Sequence, residues 1–245
     1  MNVLVCNDDG INSEGIIALA LVLLKNGHNV TVVAPESNRS GFAHSTTFYR
    51  EVAINKVQFA GGIEAYSLSG TPADCAKYGL SQLNKKFDLV LGGINNGSNL
   101  GTEVLYSGTV AIGTEGNCLG YKSMAFSCLN YKQANMTRVA EVCYQMLEKF
   151  YDKLSPEFTL NVNVPALAEN EQPLGFKITP LGVSMYTDVY EYVKEGVFML
   201  TGDPIDWDNP EDCDVELIKK KFVTVTPILC DRTAYSVLEK LKGNG

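Results

Sequence analysis

The sequence predicts an α/β fold built on a mostly parallel sheet, and three observations predict it. Short apolar runs alternate with helix-period segments as far as residue 165. Polar loops rich in Gly, Asn and Ser follow those runs. Apolar residues make up 45% of the 245-residue chain, enough for one large buried core.

The elements follow in order. Asn2–Cys6 is a short run of Val and Leu, closed by the turn cluster Asn7-Asp8-Asp9-Gly10. From Gly15 onward, Ile16, Leu19, Ala20, Leu23 and Leu24 recur at helical spacing, and Gly27 stops the helix. Asn29–Ala34 is a second buried strand, ended by Pro35. Two apolar strands joined by one helix make a βαβ unit, and so a parallel sheet.

Residues 36–50 read as a polar loop, and 51–69 as a hairpin around Gly61-Gly62. Thr71–Leu83 reads as a helix, with Thr71 as N-cap and Pro72 at its first position. Phe87–Leu91 is a buried strand running into Gly92-Gly93-Ile94-Asn95-Asn96-Gly97, and a long loop continues to Tyr106. A small-residue helix is expected at Ser107–Leu119, a strand at Ser123–Leu129, a helix at 134–151 and a strand at Phe158–Val164. Beyond Pro165 the rhythm changes, and helical patterns vanish until Thr233–Lys242, while 175–200 and 221–229 are β-rich. The chain therefore divides into an α/β core, 1–165, and a β-rich appendage with a terminal helix, 166–245, a kind of segment that can be exchanged between subunits.

The formal charge of -8 argues against a nucleic-acid polymer as partner, because phosphate contacts need Lys and Arg. A small anion is still compatible with it, through a metal or a helix terminus. The seven cysteines are odd in number and lack CxxC spacing, which predicts free thiols in a reducing compartment. Residues 2–6 are apolar, but Asp8 and Asp9 follow at once, and no stretch approaches the ~20 apolar residues of a membrane span. The expectation is a cytoplasmic protein without a membrane partner.

In an open parallel sheet, ligands bind beyond the carboxyl ends of the strands. That rule selects residues 7–14, 36–48 and 92–106. Asp8 and Asp9 repel each other unless a cation or hydrogen-bond donors compensate, and hard carboxylate oxygens suit Mg²⁺ or Mn²⁺. The plainer alternative is a solvated Asx turn. In the second loop Arg39 can hold a phosphate, Ser40 can give an oxygen ligand, and His44 can contact substrate or move a proton. In the third, Asn95 offers an amide oxygen. The start of the following helix, Ser107, Gly108 and Thr109, favours a phosphate. The acidic stretch Asp203–Asp214 reads as a solvated loop, since its spacing fits no Ca²⁺ loop.

Rival chemistries lack their residues. A receiver-type phosphoacceptor needs an Asp after the Phe87–Leu91 strand, where Gly92-Gly93 stands. The Gly-x-Gly-x-x-Gly of a dinucleotide site is missing after the first strand, and so is the Gly-x-Ser-x-Gly of a serine hydrolase. Metal-assisted attack by water is left. Two other readings stay open: a nucleotide-sensing binding protein with little turnover, and a receiver-like phosphoacceptor, disfavoured by the missing Asp.

Together the motifs resemble the SurE family of survival-protein nucleotidases, along nearly the whole chain. Asn7-Asp8-Asp9-Gly10 resembles the family's opening NDDG, and Ala34-Pro35 with Asn38-Arg39-Ser40-Gly41 its second motif. Gly70-Thr71-Pro72-Ala73-Asp74-Cys75 resembles its GTPxDC stretch. Gly93-Ile94-Asn95, Asn99-Leu100-Gly101 and Tyr106-Ser107-Gly108-Thr109-Val110 resemble its longest signature, and Thr226-Pro227 with Asp231 and Thr233 its TPLxxDxT. Five short motifs in order are highly specific.

The resemblance implies a Rossmann-like three-layer fold and a metal-dependent phosphatase acting on nucleoside 5′- and 3′-monophosphates, in some members also on polyphosphate. It implies one divalent ion per subunit, Mg²⁺ or Mn²⁺, held by Asp8, Asp9, Ser40 and Asn95, with Asp8 and Asp9 catalytic. Asn96, Ser107, Gly108 and Thr109 are assigned to the substrate. A homodimer or homotetramer is implied through the exchanged appendage. Two departures stand out: Gly92 where many members have Ser, and Glu103 where Asp is usual.

Overall fold

The computed structural model describes residues 1–243, so the last two residues of the segment 166–245 lie outside the described residues. The strands of the main sheet are β1 (Asn2–Cys6), β2 (Asn29–Pro35), β3 (Ile54–Val57), β4 (Glu64–Leu68), β5 (Leu89–Asn96), β6 (Ser123–Cys128), β7 (Phe158–Val164) and β8 (Phe176–Ile178), followed later in the chain by one more. A separate hairpin pairs β9 (Val189–Lys194) with β10 (Val197–Thr201), and β11 (Val223–Leu229) completes the main sheet. The order is β3-β4-β2-β1-β5-β6-β7-β11-β8. From β4 to β7 every neighbouring pair is parallel.

The helices α1 (Glu14–Lys25), α2 (Pro72–Gln82), α3 (Gly108–Cys118) and α4 (Met136–Phe150) cover both faces. Alternation along β1 shows why. Val3 and Val5 join the core built with Ile16, Leu19 and Leu23 of α1 and Val139, Cys143 and Leu147 of α4. Leu4 and Cys6 point the other way, to Cys75 and Ala76 of α2 and Ile112 of α3. The predicted three layers are therefore present.

Local chemistry sets the helix starts. Thr71 forms a capping box with Asp74, its side chain accepting from Asp74 N, and Pro72 follows at the first position. Asn135 caps α4 by accepting from Arg138 N at 3.0 Å, and such a cap contributes about 1 kcal/mol.

The structure departs from the sequence reading at β5, at one added helix and at Asp214. β5 runs on through Gly92–Asn96 instead of ending at Leu91, with a register shift between Gly92 and Asn95. The glycines that suggested a loop sit in the strand. Beyond Pro165 strands continue where 175–200 and 221–229 read as β-rich: β11 pairs antiparallel with β7 and β8 lies parallel on β11. The helix α5 (Asp214–Lys219) was not expected, and the terminal helix is α6 (Tyr235–Lys242). Asp214 is no solvated residue: it is fully buried, and its carboxylate accepts from the amides of Gly101, Gly182 and Val215. An acidic run of six carboxylates hid one structural acid among exposed ones.

All seven cysteines are free; Cys118 is exposed, Cys230 half-buried and the other five buried.

Candidate active site

Sheet order fixes where the chemistry lies. β1 has β2 on one side and β5 on the other, so the chain direction switches between β1 and β5. A crevice opens at the carboxyl ends of that pair. Asp8 and Asp9 leave the end of β1, and Asn95 and Asn96 close β5. At that level of the sheet Cys6 lies beside Gly92, so the place of a receiver's phosphoacceptor has no side chain.

Asp8 is 3% exposed. Its Oδ1 accepts from the Thr109 hydroxyl at 2.6 Å, and its backbone carbonyl from Arg39 N at 2.6 Å. Burial pushes its carboxyl up to about 6, with the charge of Asp9 adding in the same direction. Asp9 Oδ2 accepts from Asn96 N at 2.8 Å, and Asn38 Nδ2 reaches its Oδ1 at 3.4 Å. Burial raises this carboxyl too, against the Asn96 amide.

Ser40 is exposed, and its amide donates to Asn38 Oδ1 at 2.8 Å, so Asn38 ties the Ser40 turn to Asp9. The Asn95 amide nitrogen donates to Gly97 O at 2.9 Å, which assigns its Oδ1 as the atom left for a ligand. Asp8, Ser40, Asn95 and Ser107 line one cleft of about 550 Å³. Among the described residues no three His, Cys, Asp or Glu side chains gather as a metal cluster. An ion here would rest on two carboxylates and neutral oxygens. That donor set is hard, and one oxygen of each carboxylate is left over from its closest hydrogen bond, so the residues fit Mg²⁺ or Mn²⁺.

The start of α3 forms the other wall. Ser107 Oγ accepts from Val110 N at 3.0 Å, and Ala111 N bonds to Ser107 O. The amides of Gly108 and Thr109 precede the first helical bond. Gly108 is required by contact: a Cβ there would sit 2.8 Å from Asp8 Cβ. Gly92 also answers to α3, since a Cβ on it would lie 2.4 Å from Thr109 O. This gives the departure from Ser a steric reason in this chain.

Several expected residues sit elsewhere. The Thr109 side chain, expected at the substrate, is fully buried against Asp8. The Asn96 side chain lines a neighbouring cleft with Asn130 and Lys132, and its buried Oδ1 has no protein partner. Arg39 turns its guanidinium to Ser69 O at 3.1 Å rather than toward the Asp8 cleft. His44 commits both ring nitrogens, Nε2 to Glu115 Oε2 at 2.8 Å and Nδ1 to Thr114 Oγ1 at 3.3 Å. It pins the 36–48 loop to α3. Burial alone would raise the Glu115 carboxyl, but the bonds from His44 and Lys77 hold it below its usual value.

One part of the site has no role in the sequence reading, although Asn99 falls in the Asn99-Leu100-Gly101 motif. Asn99 lines the cleft, its amide donates to Asn163 Oδ1 at 2.8 Å, and its carbonyl accepts from Asn161 and Asn163. Asn99 Nδ2 also donates to Ser127 Oγ at 2.7 Å. Alternating Asn in β7 was the only other trace of this network.

The family model described as survival protein SurE matches residues 3–188. A protein of Petrotoga mobilis named 5′-nucleotidase SurE is 41% identical over 249 residues, covering 99% of this chain and 98% of that one. One of the same name from Clostridium botulinum strain Langeland is 41% identical over 248 residues, covering 98% of this chain and 97% of the relative. The crystal structure of the SurE protein from Aquifex aeolicus matches with a TM-score of 0.85 at 35% identity, over 99% of this chain and 98% of that one. With Asp8, the second-loop serine and the β5 asparagine lining one cleft, and with likeness along its whole length, this chain belongs to the SurE family.

Proposed function

We propose that the protein is a metal-dependent nucleotidase that hydrolyses nucleoside 5′- and 3′-monophosphates to nucleoside and phosphate, with polyphosphate as a further substrate. One observation carries the reading: Asp8 after β1, Ser40 after β2, Asn95 in β5 and Ser107 at the start of α3 line one cleft. The nucleotidase names of full-length relatives support it.

One divalent ion per subunit would be held by Asp8, Asp9, Ser40 and Asn95, and would supply Lewis-acid stabilisation of phosphoryl charge and activation of water. The chain's own residues do the rest. Thr109 Oγ1 holds Asp8 Oδ1, while Asn96 N and Asn38 Nδ2 hold the two oxygens of Asp9, so both carboxylates are fixed in orientation. The Gly108 and Thr109 amides bind phosphate oxygens at the positive end of α3. Ser107 Oγ accepts from Val110 N, so its own proton is free to be donated to the phosphate.

No helix among the described residues is long and apolar enough to cross a membrane, and we place the protein in the cytoplasm. The subunit contact belongs on the β9–β10 hairpin, where Tyr190, Tyr192, Phe198 and Met199 are all exposed. Light scattering should give a dimer or tetramer; a monomer at micromolar concentration would refute that contact.

The test of function is phosphate release from AMP, GMP and polyphosphate with Mg²⁺, Mn²⁺ or chelator. Release with metal and none with chelator is expected. Tight nucleotide binding without turnover at any metal concentration would favour a sensor instead.

A further inference from the structure

The cleft that holds Asp8 has a second character. Beside its polar residues stand Leu105, Tyr106, Met185, Tyr186 and Leu200. Each is at least 43% exposed, so the protein itself does not bury these surfaces. A cleft of about 550 Å³ with polar groups and an apolar aromatic wall suits a ligand that has a charged part and a flat apolar part.

Among these residues Tyr186 is the one held in place. Its hydroxyl donates to Glu103 Oε1 at 3.2 Å, and Ser184 Oγ donates to the same oxygen at 3.0 Å. The other oxygen, Glu103 Oε2, accepts from Leu100 N at 3.2 Å. The backbone is fixed as well: Tyr186 forms a β-bridge with Pro204, and Ile205 N bonds to Met185 O at 2.9 Å. Glu103 thus joins the site loop to the segment that carries the ring. A tyrosine ring fixed by its hydroxyl, with a face left to solvent, is a pre-organised stacking surface.

We infer that Tyr186 stacks on the base of the nucleotide and that Glu103 is the positioning residue that holds its ring, so this pair sets preference for nucleotides over phosphate esters without a base. The inference rests on the nucleotidase reading. Stacking on an aromatic ring tolerates any base, so purine and pyrimidine monophosphates should both benefit.

The test compares kcat/KM for AMP with kcat/KM for ribose 5-phosphate, which has the same phosphate and sugar but no base. The wild-type protein should favour AMP. In Tyr186→Ala that selectivity ratio should fall about tenfold, through KM for AMP, within the range of single base–aromatic stacks. In Tyr186→Phe, which keeps the ring but loses the bond to Glu103, it should fall by about threefold, between wild type and Tyr186→Ala, and a wild-type ratio there would remove Glu103 as the positioning residue. A merely structural role would lower both substrates together and leave the ratio alone. Tyr186→Ala with the wild-type ratio overturns the inference, as does a Tyr186→Phe variant that loses as much selectivity as Tyr186→Ala. Wild-type protein that hydrolyses both equally well refutes the stacking and leaves the phosphatase standing; protein that hydrolyses neither overturns both.

Discussion

The Thr109 hydroxyl donates to Asp8 Oδ1 at 2.6 Å, across 101 residues of chain, and both side chains are buried. The bond fixes which oxygen of Asp8 is left for a cation. Thr109→Val keeps the shape of the side chain and removes the donor. Activity or metal affinity should fall about 10–100-fold, as for other partners of metal-binding carboxylates. Thr109→Ser should retain most of both. Phosphate release against Mn²⁺ concentration measures the two effects together, and wild-type behaviour in Thr109→Val would show that the bond is idle.

Gly108 packs closely on the Asp8 side chain. A methyl group there would meet Asp8 Cβ and Pro72 Cγ, each at 2.8 Å. Gly108→Ala should therefore destabilise by about 1–3 kcal/mol, the usual cost of overpacking. It should also displace Asp8 and cut turnover. Thermal melts and kcat on the same sample check this, and unchanged values of both would contradict the packing.

Asn163 accepts from Asn99 N and donates to Asn99 O. Asn163→Leu leaves the buried Asn99 N–H without its partner, while Asn161 still serves the carbonyl, at a cost of about 1–3 kcal/mol. Because Asn99 lines the cleft, the variant should lose activity below its melting temperature too. Denaturant unfolding and phosphate release at 25 °C separate the two losses.

The Asp8 carboxyl titrates at about 6, raised from 3.8. A raised folded value favours the protonated form, so its contribution to metal-free stability is full below 3.8 and lost as pH rises through 6. A bound cation reverses that preference by stabilising the carboxylate. Added Mn²⁺ should thus raise the melting temperature more at about pH 7.5 than at about pH 5. An equal rise at both would remove Asp8 from the metal site.

Much of the core was legible because its signals are local. Val3 and Val5 against Leu4 and Cys6 give a strand buried on both faces, and Ile16, Leu19 and Leu23 give the stripe of α1. Asp8, Ser40 and Asn95 were legible through strand-end position, motif spacing and family likeness, and they do line one cleft. Glycine misled at β5, where Gly92 is needed for close packing on α3 rather than for a turn. His44 looked chemical because histidine is rare here, but its ring is spent on Glu115 and Thr114. Asp214, Asn163 and the Glu103–Tyr186 bond were illegible because each acts on a residue 64 or more positions away. No periodicity records such pairings.

The central claim is that Asp8 and Asp9, with Ser40 and Asn95, hold a divalent ion that turnover requires. It is tested most directly by phosphate release from AMP as Mn²⁺ is titrated into chelator-stripped protein, wild type beside Asp8→Ala. The wild-type protein should go from inactive to fully active as one ion binds per subunit. Asp8→Ala should lose more than about 100-fold at saturating Mn²⁺, beyond the loss expected for a residue that only supports a ligand. Wild-type turnover in the Asp8→Ala protein, or undiminished release by the stripped wild type in chelator, would contradict the account.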